Sequence, residues 1–341
     1  MRSLNITDIA KLAGVGVSTV SRALNNYPDV SAETKQRVLD IVKKYNYFPN
    51  DNAKNLKQIA TNNINIIVKG KGNIFYEGII EQMQYELARR GFHALVAYID
   101  EQSNEISEAI RLNHEKKPEG VIFLGGTAKR FANELKDFNV PCVVSSGYVP
   151  FPQNSTKGCV CIDDKAAAYS AVEYLIEQGH TNIAILGGQL GNGGGTELRY
   201  TGAMECMHKH GMKFDKSRYL VSKFSLSDAY KAVSTILVPN NPVTAVFAMA
   251  DVMAIGAAKA ITDAGLRVPD DISIIGFDGI DMSYFYNPSL ATIKQPAKEV
   301  ANKSVEMLVD KMNGELNKPN IVVLDTQLIK GNSVKRLVYP T

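Results

Sequence analysis

The sequence of 341 residues predicts two unlike parts, an all-α head with a short hinge helix, joined to a two-lobed α/β core with parallel sheets. Apolar residues recur at helical spacing through about the first 45 residues. A polar linker over residues 57–63 follows, and beyond it short apolar runs alternate with longer helical stretches. Since the hydrophobic period changes at a polar linker, we expect the head and the core to be separate domains.

The head begins with two short helices joined by a tight turn. The apolar residues of the first helix are Ile6, Ile9, Ala10 and Ala13. Gly14 ends this helix, because glycine tolerates a positive φ. A second helix is predicted over about 17–25, with Val20 and Leu24 facing inward and a polar, basic outer face. This arrangement is typical of a helix-turn-helix, although an ordinary helical hairpin has the same pattern.

A third helix completes the head. It is predicted over about 32–45, with Ser31 as its N-cap. Residues 1–60 contain nine lysines and arginines against five acidic residues, whereas the whole chain has a net charge of +3. A basic head on a near-neutral body indicates a nucleic-acid-binding module on a soluble core. The chain is 45% apolar and 21% charged, lacks a run of 18 apolar residues and begins without an export signal, so we expect a cytoplasmic protein with no membrane contact.

The core is predicted to contain two series of strands and a returning unit. Strand-like runs of the first series are Ile64–Val68, Ala94–Tyr98, Gly120–Leu124 and Cys142–Ser145. Those of the second series are Ile183–Gly187, Tyr219–Val221, Val243–Met249 and Ile272–Phe277. The last unit has strands at Ala291–Lys294 and Ile321–Leu328 around a helix near 297–313. Because ligands of open parallel sheets lie beyond the carboxyl ends of the strands, the cleft between the lobes is predicted to hold a small molecule.

Several other site types are disfavoured. The four cysteines are Cys142, Cys159, Cys161 and Cys206. Cys159 and Cys161 lie in an apolar strand-like run without a second ligand pair, so we predict no metal site. The glycines at 187–188 and 193–195 match neither phosphate-loop nor dinucleotide spacing, and no nucleophile motif is present. We therefore predict no cofactor and no catalytic residues.

Residues 6–56 resemble the DNA-binding head of the LacI/GalR family of transcription regulators. The matching phrases are I-T-D-I-A-K-L-A-G-V, S-T-V-S-R-A-L-N, V-S-A-E-T-K-Q-R-V and Y-N-Y-F-P-N-x-x-A-x-x-L. In the core, E-Q-G-H-T-N-I-A-I-L-G-G, L-R-Y-T-G-A, D-x-M-A-I-G-A, G-L-R-V-P-D-D-I-S-I-I-G-F-D and A-T-I-K-Q-P look like the effector-binding part of the family. The implied core fold is that of type I periplasmic sugar-binding proteins.

The resemblance implies which head residues contact DNA. Val17, Ser18 and Arg22 occupy positions that face base edges in the major groove, and Arg22 can bond bidentately to guanine. Positions that bind backbone phosphates are matched by Thr19, Ser21, Asn25, Ser31, Thr34 and Tyr47. The hinge at 50–57 is expected to fold in the minor groove with Leu56 as an apolar wedge, and Asn50 and Ala53 belong to the same contact.

The resemblance also implies the domain boundaries. They are a helix-turn-helix domain at 1–49, a hinge helix and linker at 50–61, an N-terminal lobe at 62–161 plus 292–322, and a C-terminal lobe at 162–291 plus 323–341.

In the cleft, Arg199, Asp251 and Asp278 match family positions that bind the effector. Four aromatic residues are expected where a sugar ring can stack, namely Phe75, Tyr76, Tyr148 and Phe285. The chain departs from the family at Ala250, where an asparagine is usual, and at Gly279, where a second acid is usual. Lys69 and Lys71 make the first cleft loop unusually basic, and we interpret them as a solvated loop. An acidic sugar or a sugar phosphate would use these lysines instead.

The sequence therefore predicts a homodimeric repressor of carbohydrate-utilisation genes, bound to near-palindromic operator DNA and released allosterically by a sugar-like effector. A solute-binding transport component would share the two lobes, but the head and the missing export signal disfavour it. An enzyme would need a base, nucleophile or metal constellation, and none is apparent.

Overall fold

The computed structural model describes residues 6–24, 27, 29–44, 62–70, 72–191, 193–237 and 243–337. The chain forms two compact units, Met1–Ala60 and Thr61–Thr341. The predicted hinge helix and the residues Asn25, Tyr47, Asn50, Ala53 and Leu56 lie outside the described residues.

The described residues of the first unit form three helices, α1 (Ile6–Ala13), α2 (Val17–Leu24) and α3 (Ala32–Lys44). Its core is a small apolar cluster made of Ile9, Ala10, Ala13, Val20, Ala23, Val30 and Val38. Gly14 joins α1 to α2 with φ +66°, which confirms the predicted turn. Ser31 Oγ accepts a hydrogen bond from the Thr34 N–H at 3.3 Å, so Ser31 caps α3 as predicted.

The second unit begins with a six-stranded sheet. Along the chain its first elements are β1 (Asn63–Lys69), α4 (Ile74–Arg89), β2 (His93–Ile99), α5 (Glu105–Lys116), β3 (Gly120–Leu124), α6 (Ala128–Glu134), β4 (Cys142–Ser145) and β5 (Lys157–Ile162). These strands pair in parallel in the order β5-β4-β3-β1-β2. The strands are nearly continuous apolar runs because helices cover the faces of a parallel sheet.

A second six-stranded sheet follows. Its elements in chain order are α7 (Asp164–Glu177), β6 (Ile183–Gly187), α8 (Gly195–Lys209), β7 (Tyr219–Val221), α9 (Leu226–Ser234), β8 (Ala245–Ala248), α10 (Asp251–Asp263), β9 (Ser273–Asp278), α11 (Asp281–Phe285) and β10 (Ala291–Lys294). The strands pair in parallel in the order β10-β9-β8-β6-β7. The short helix α11 was not predicted.

The chain then returns to both sheets. Helix α12 (Ala297–Met312) packs on β3, β4 and β5 of the first sheet. Strand β11 (Ile321–Leu324) extends that sheet beside β5, and β12 (Gln327–Ile329) pairs antiparallel with β10 in the second sheet. The polypeptide therefore passes between the lobes three times, after β5, after β10 and after β11.

Two details of the returning unit differ from the prediction. The run Ile321–Leu328 is not one strand, because β11 and β12 join different sheets on either side of Asp325 and Thr326. The boundary before Thr292 assigned residues 292–294 to the first lobe, whereas β10 lies beside β9 in the second sheet. Periodicity marks an apolar run but carries no information about which sheet pairs with it.

None of the helices in the described part of the chain has the length and apolar character needed to cross a bilayer. Among the same residues, no group of three His, Cys, Asp or Glu side chains is arranged as a metal site would require. The four cysteines are buried and unpaired.

Candidate functional site

The outer face of α2 presents the side chains predicted to read DNA. Val17 is 40% exposed and Ser18 is also exposed, whereas Val20 and Ala23 on the opposite face are buried in the head core. This division follows from the helical period, which places residues three and four apart on one face. The short α2 therefore offers a polar surface supported by a packed apolar base.

Arg22 is the cation at the centre of this face. Its Nη2 lies 2.5 Å from Asp29 Oδ2, and its Nε donates to Asp29 Oδ1 at 3.2 Å. The guanidinium carbon lies 5.4 Å from the centre of the Tyr27 ring. The Arg22 side chain is still 52% exposed, so the guanidinium is held at the surface and open to a ligand.

In the second unit, a cavity of about 720 Å³ lies between the two lobes. It is lined by residues at or directly after the carboxyl ends of strands in both sheets, namely Lys69, Gly125, Ser146, Gly188, Ser222, Asp278 and Gln295. This is where ligands of open parallel sheets bind. Its size falls in the range of small-molecule sites.

Arg199 of α8 is the buried cation of the cavity, with only 9% of the residue exposed. Its Nε donates to Asp164 Oδ1 at 2.8 Å, and its Nη1 donates to the Met249 carbonyl at 2.6 Å. The guanidinium lies 3.6 Å from the centre of the Phe277 ring. These contacts fix the plane of the guanidinium, so that its remaining N–H groups have defined directions.

Asp278 faces Arg199 at the end of β9. Its Oδ1 lies 3.9 Å from Arg199 Nη1 and accepts a hydrogen bond from Gln295 Nε2 at 2.7 Å. Burial raises the pKa of the Asp278 carboxyl well above its ordinary value, although the positive charge of Arg199 opposes the shift. The carboxyl oxygens of Asp278 can accept hydrogen bonds from the hydroxyl groups of a ligand.

The backbone of Asp278 adopts φ +110°, a region that a non-glycine residue rarely occupies. Such strain costs on the order of 1–3 kcal/mol and is typical of ligand sites. The Gln295 N–H donates to the Asp278 carbonyl at 3.0 Å, so Gln295 holds both the backbone and the side chain of Asp278.

The first lobe contributes aromatic side chains from α4. Phe75 and Tyr76 both line the cavity, and their ring centres are 5.9 Å apart. Burial raises the pKa of the Tyr76 phenol to about 12, with a hydrogen bond to Ser146 opposing the shift. A Cβ at Gly125 would stand 2.7 Å from Tyr76 Oη, so only glycine leaves room for this hydroxyl.

Comparison with known proteins gives the family. The profile described as bacterial regulatory proteins, lacI family, matches residues 5–50, and a profile of the periplasmic binding protein-like domain matches residues 172–334. The HTH-type transcriptional regulator MalR of Clostridium butyricum is 37% identical over 333 residues, which are 97% of this chain and 99% of MalR. The chain belongs to the LacI family. It is a DNA-binding transcriptional regulator, and this family consists of regulators rather than enzymes.

Solved structures of LacI-family regulators have the same architecture. The transcriptional regulator CelR in its complex with cellobiose superposes with a TM-score of 0.71 at 26% identity, covering 97% of this chain and 99% of CelR. The lac repressor dimer bound to operator and the anti-inducer ONPF superposes with a TM-score of 0.69 at 25% identity, covering 98% of this chain and all of that chain. The predicted fold class, a helix-turn-helix head with a two-lobed α/β core, is confirmed.

The cavity of this LacI-family regulator brings together four of the seven residues predicted to bind its effector. Phe75, Tyr76, Arg199 and Asp278 line it. Tyr148 and Phe285 do not, and both are exposed, at 43% and 80%. These two aromatic residues were predicted to stack on a sugar ring, but their rings are open to solvent instead of lining the cavity.

Asp251 lies beneath the cavity rather than in its lining. It is fully buried, and it accepts hydrogen bonds from Thr292 Oγ1 at 2.7 Å and from the Ile280 N–H at 2.9 Å. Burial raises the pKa of Asp251 to about 7. With its oxygens engaged by β10 and by the segment after β9, Asp251 supports the backbone directly after Asp278 rather than facing a ligand.

Lys69 is not part of a solvated loop, which corrects the interpretation from sequence. Its Nζ donates to Glu105 Oε2 at 2.7 Å and to Thr127 Oγ1 at 2.8 Å, and its side chain is only 11% exposed. Glu105 also accepts from Arg130 Nη1 at 2.7 Å. Burial opposes ionisation of Glu105, but hydrogen bonds from Lys69 and the Thr127 N–H outweigh it and lower the pKa of the carboxyl. Lys71 lies outside the described residues.

The described head residues that were predicted to bind phosphates are half-buried or exposed. Thr19, Ser21 and Thr34 are half-buried and Ser31 is exposed. Ser31 Oγ donates to Thr34 Oγ1 at 2.9 Å, so the two predicted phosphate ligands already contact each other. DNA contact by these residues stays a prediction.

Sequence reasoning missed the residues that hold the cavity side chains in place. Gln295 and Ser146 directly follow strands, so a survey of residues after every strand end would have found them. Asp164 and Glu105 gave no such signal, because each meets its cation only through the tertiary fold.

Proposed function

We propose that the protein is a repressor of carbohydrate-utilisation genes that acts as a homodimer on a near-palindromic operator. A small sugar-like effector in the cavity between the lobes controls it. The observation that carries this proposal is the cavity itself, where a fixed guanidinium, a carboxyl and a phenol from two lobes converge. Membership of the LacI family supplies DNA binding and transcriptional regulation.

The chemistry of the cavity supports a polyol ligand. Arg199, Asp278 and Gln295 offer directed donors and acceptors, and Phe75 offers an apolar ring. Sugars present hydroxyl groups along their edges and apolar C–H groups on their faces, so they use both kinds of contact. The related regulator CelR was solved with cellobiose, which supports the same class of effector here.

The regulatory mechanism is a coupling free energy between two sites. An effector that contacts both lobes favours one arrangement of the lobes over another. The three passages of chain between the lobes are the places that absorb the change. Coupling in such proteins is typically about 1–3 kcal/mol, a change of roughly 5–150-fold in DNA affinity. We expect induction, in which the effector releases the operator.

Lys69, a largely buried lysine in the lining of the cavity, favours a second candidate effector, an acidic sugar or a sugar phosphate. Lys69 and Arg130 both contact the buried carboxylate of Glu105, and Arg130 also lies 3.9 Å from Glu134 Oε1, so Glu134 assists in neutralising Arg130 while Lys69 faces the cavity. An ammonium has three donors, and two of those on Lys69 are used, so the third can serve a ligand in the cavity.

Thermal shift and calorimetry with glucose, glucuronate and glucose 6-phosphate separate the two candidates. If the effector is anionic, Lys69→Met abolishes the preference for the charged sugar, while the control Lys165→Met retains it, because Lys165 is half-buried, pairs with Glu205 and does not line the cavity. Equal binding of all three sugars by the wild type would reject the anionic candidate.

Selection of binding sites from a random duplex pool tests the DNA part of the proposal. The purified full-length protein is expected to enrich a near-palindrome, since a twofold dimer presents two heads. A flexible pyrimidine–purine step at its centre is expected if Leu56 acts as a wedge. Failure to enrich any sequence, with and without a panel of sugars, would contradict the repressor proposal and favour a solute-binding component.

A further inference from the structure

We infer that Asp29 is a positioning residue for base recognition, because its carboxylate holds the Arg22 guanidinium in the orientation that reads a guanine. The inference rests on the proposed reading of DNA by Arg22. Asp29 lies between α2 and α3, outside both helices, and is itself exposed. No feature of its sequence context indicates a role beyond that of a loop residue.

The geometry of the pair leaves the reading edge of the guanidinium free. Asp29 accepts from Nε at 3.2 Å and contacts Nη2 at 2.5 Å, so it occupies the side edge of the group. A guanidinium has five N–H donors, and this contact uses two of them. The two N–H groups of Nη1 and the second of Nη2 remain. Their end edge is the fork that fits the O6 and N7 atoms of guanine.

Tyr27 adds a second restraint on the same group. Its ring centre lies 5.4 Å from the Arg22 guanidinium carbon, so the ring covers one face while Asp29 holds one edge. The carboxylate and the aromatic ring together restrict the orientations of the guanidinium. An arginine that is already ordered loses less side-chain entropy when it binds a base, and it fits wrong bases less well.

Because Asp29 is negatively charged, its removal is expected to have opposite effects on non-specific DNA binding and on discrimination between base pairs. A carboxylate near the DNA surface reduces the sequence-independent attraction to phosphates. Its removal should therefore strengthen binding to non-specific DNA while it weakens discrimination at the base pair that Arg22 reads. If Asp29 instead blocked Arg22, its removal would strengthen specific binding and leave discrimination intact or improved.

The experiment uses full-length protein and the operator obtained by selection. Comparison of the wild type with Arg22→Ala identifies the base pair at which guanine enrichment depends on Arg22. The dissociation constants of Asp29→Asn are then measured for the operator and for a duplex changed at that base pair. We expect the ratio of the two constants to fall about two- to five-fold, the effect of losing an exposed ion pair.

Asp40→Asn is the matched control. Asp40 is an exposed acid of the same head whose carboxylate accepts a hydrogen bond from Gln36 on its own helix α3, whereas the ion-pair partner of Arg22 is Asp29, so the variant removes one charge and leaves the Arg22–Asp29 pair in place. It should leave the discrimination ratio unchanged. The double variant Arg22→Ala, Asp29→Asn should have the same ratio as Arg22→Ala alone.

Each other outcome overturns the inference. An Asp29→Asn ratio equal to that of Asp40→Asn shows that Asp29 contributes charge only, and a raised ratio shows that it blocks the arginine. If Arg22→Ala alters no position of the selected site, Arg22 does not read a base and the inference fails. A palindrome selected by the wild type would in that case still support the proposed function.

Discussion

The head and the cleft use charged side chains in opposite environments. In the head, Arg22 and Asp29 form an ion pair whose side chains are about half exposed, at 52% and 49%. In the cleft, Arg199 and Asp164 form a pair whose side chains are 11% and 4% exposed. The two arginines have the same chemistry and comparable distances to their carboxylates. They differ in how much water reaches them.

Because the two ion pairs differ in exposure, a head residue can affect DNA binding with little effect on stability, whereas a cleft residue affects both effector binding and stability. An exposed ion pair contributes about 0–1 kcal/mol, so a head residue can be changed for DNA recognition at little cost to folding. A buried charge that loses its partner destabilises the protein strongly. The cleft residues that are predicted to hold the effector therefore also support the fold.

The largest expected effect is that of Arg199→Ala. The substitution leaves Asp164 and the Met249 carbonyl without their donor inside the core, which should lower the free energy of unfolding by about 3–5 kcal/mol. Urea denaturation followed by circular dichroism measures this loss. Arg267→Ala is the control, because Arg267 is 70% exposed and pairs with Asp270 and Asp271 at the surface. Its loss should stay below about 1 kcal/mol.

Arg199→Lys is a second, milder substitution at the same position, which keeps the prediction testable if Arg199→Ala does not fold. It keeps the positive charge but cannot reproduce the two directed bonds, so we expect a smaller destabilisation together with loss of effector-dependent stabilisation. If Arg199→Ala costs no more than Arg267→Ala, the contrast between the buried and the exposed pair is wrong.

Arg22→Ala should have the opposite effects, a large loss of discrimination between DNA sequences and a small change in stability. It removes a predicted bidentate base contact that is worth about 1–3 kcal/mol of discrimination, roughly 5- to 150-fold between the operator and its changed base pair. The unfolding free energy should change by less than about 1 kcal/mol, since the Arg22–Asp29 pair is exposed. Fluorescence anisotropy with the two duplexes and urea denaturation give both quantities. A destabilisation as large as that of Arg199→Ala would remove the distinction between the two regions.

The smallest expected effect is a pH dependence of the core. His180 is fully buried, with Nδ1 3.0 Å from Thr244 Oγ1 and Nε2 3.1 Å from the Lys335 carbonyl. Burial lowers its pKa below the ordinary value of 6.5. Below pH 6.5 the unfolded chain therefore binds a proton at His180 that the folded core does not, so the contribution of His180 to stability falls with decreasing pH by at most about 1.4 kcal/mol per unit. The raised pKa values of Asp251 and Asp278 contribute with the opposite sign, so the role of His180 is measured as the difference between the wild type and a His180 variant.

Urea denaturation at pH 7.5, 6.5 and 5.5 measures this slope. His180→Gln should reduce the slope, whereas His208→Gln, at an exposed position of α8, should leave it as in the wild type. An unchanged slope in His180→Gln would show that His180 is not responsible for it.

The regular elements could be predicted from sequence because they depend on local patterns. Apolar spacing located α1–α3, and nearly continuous apolar runs located most of the strands. The division of 321–328 into β11 and β12 could not be predicted, because the choice of sheet depends on pairing with β5 and β10. The short α11 has no periodic pattern to reveal it.

The residues of the candidate sites could also be predicted only in part from the sequence. Arg199 and Asp278 were predicted from the family resemblance, but their supports Asp164 and Gln295 are 35 and 17 residues away along the chain. Lys69 was interpreted as solvated, since nothing in its neighbourhood indicates Glu105 as a partner 36 residues later. The sequence shows which residues carry a charge, but tertiary packing determines whether water reaches that charge.

The measurement that tests the central claim most directly is the affinity for the selected operator at increasing effector concentration. The effector is the sugar that gives the largest thermal stabilisation of the full-length protein. We predict a fall in operator affinity of roughly 5–150-fold at saturation, and no such fall in Arg199→Lys. An affinity that stays constant or increases, while calorimetry shows the sugar bound to the wild type, would contradict induction through the cavity.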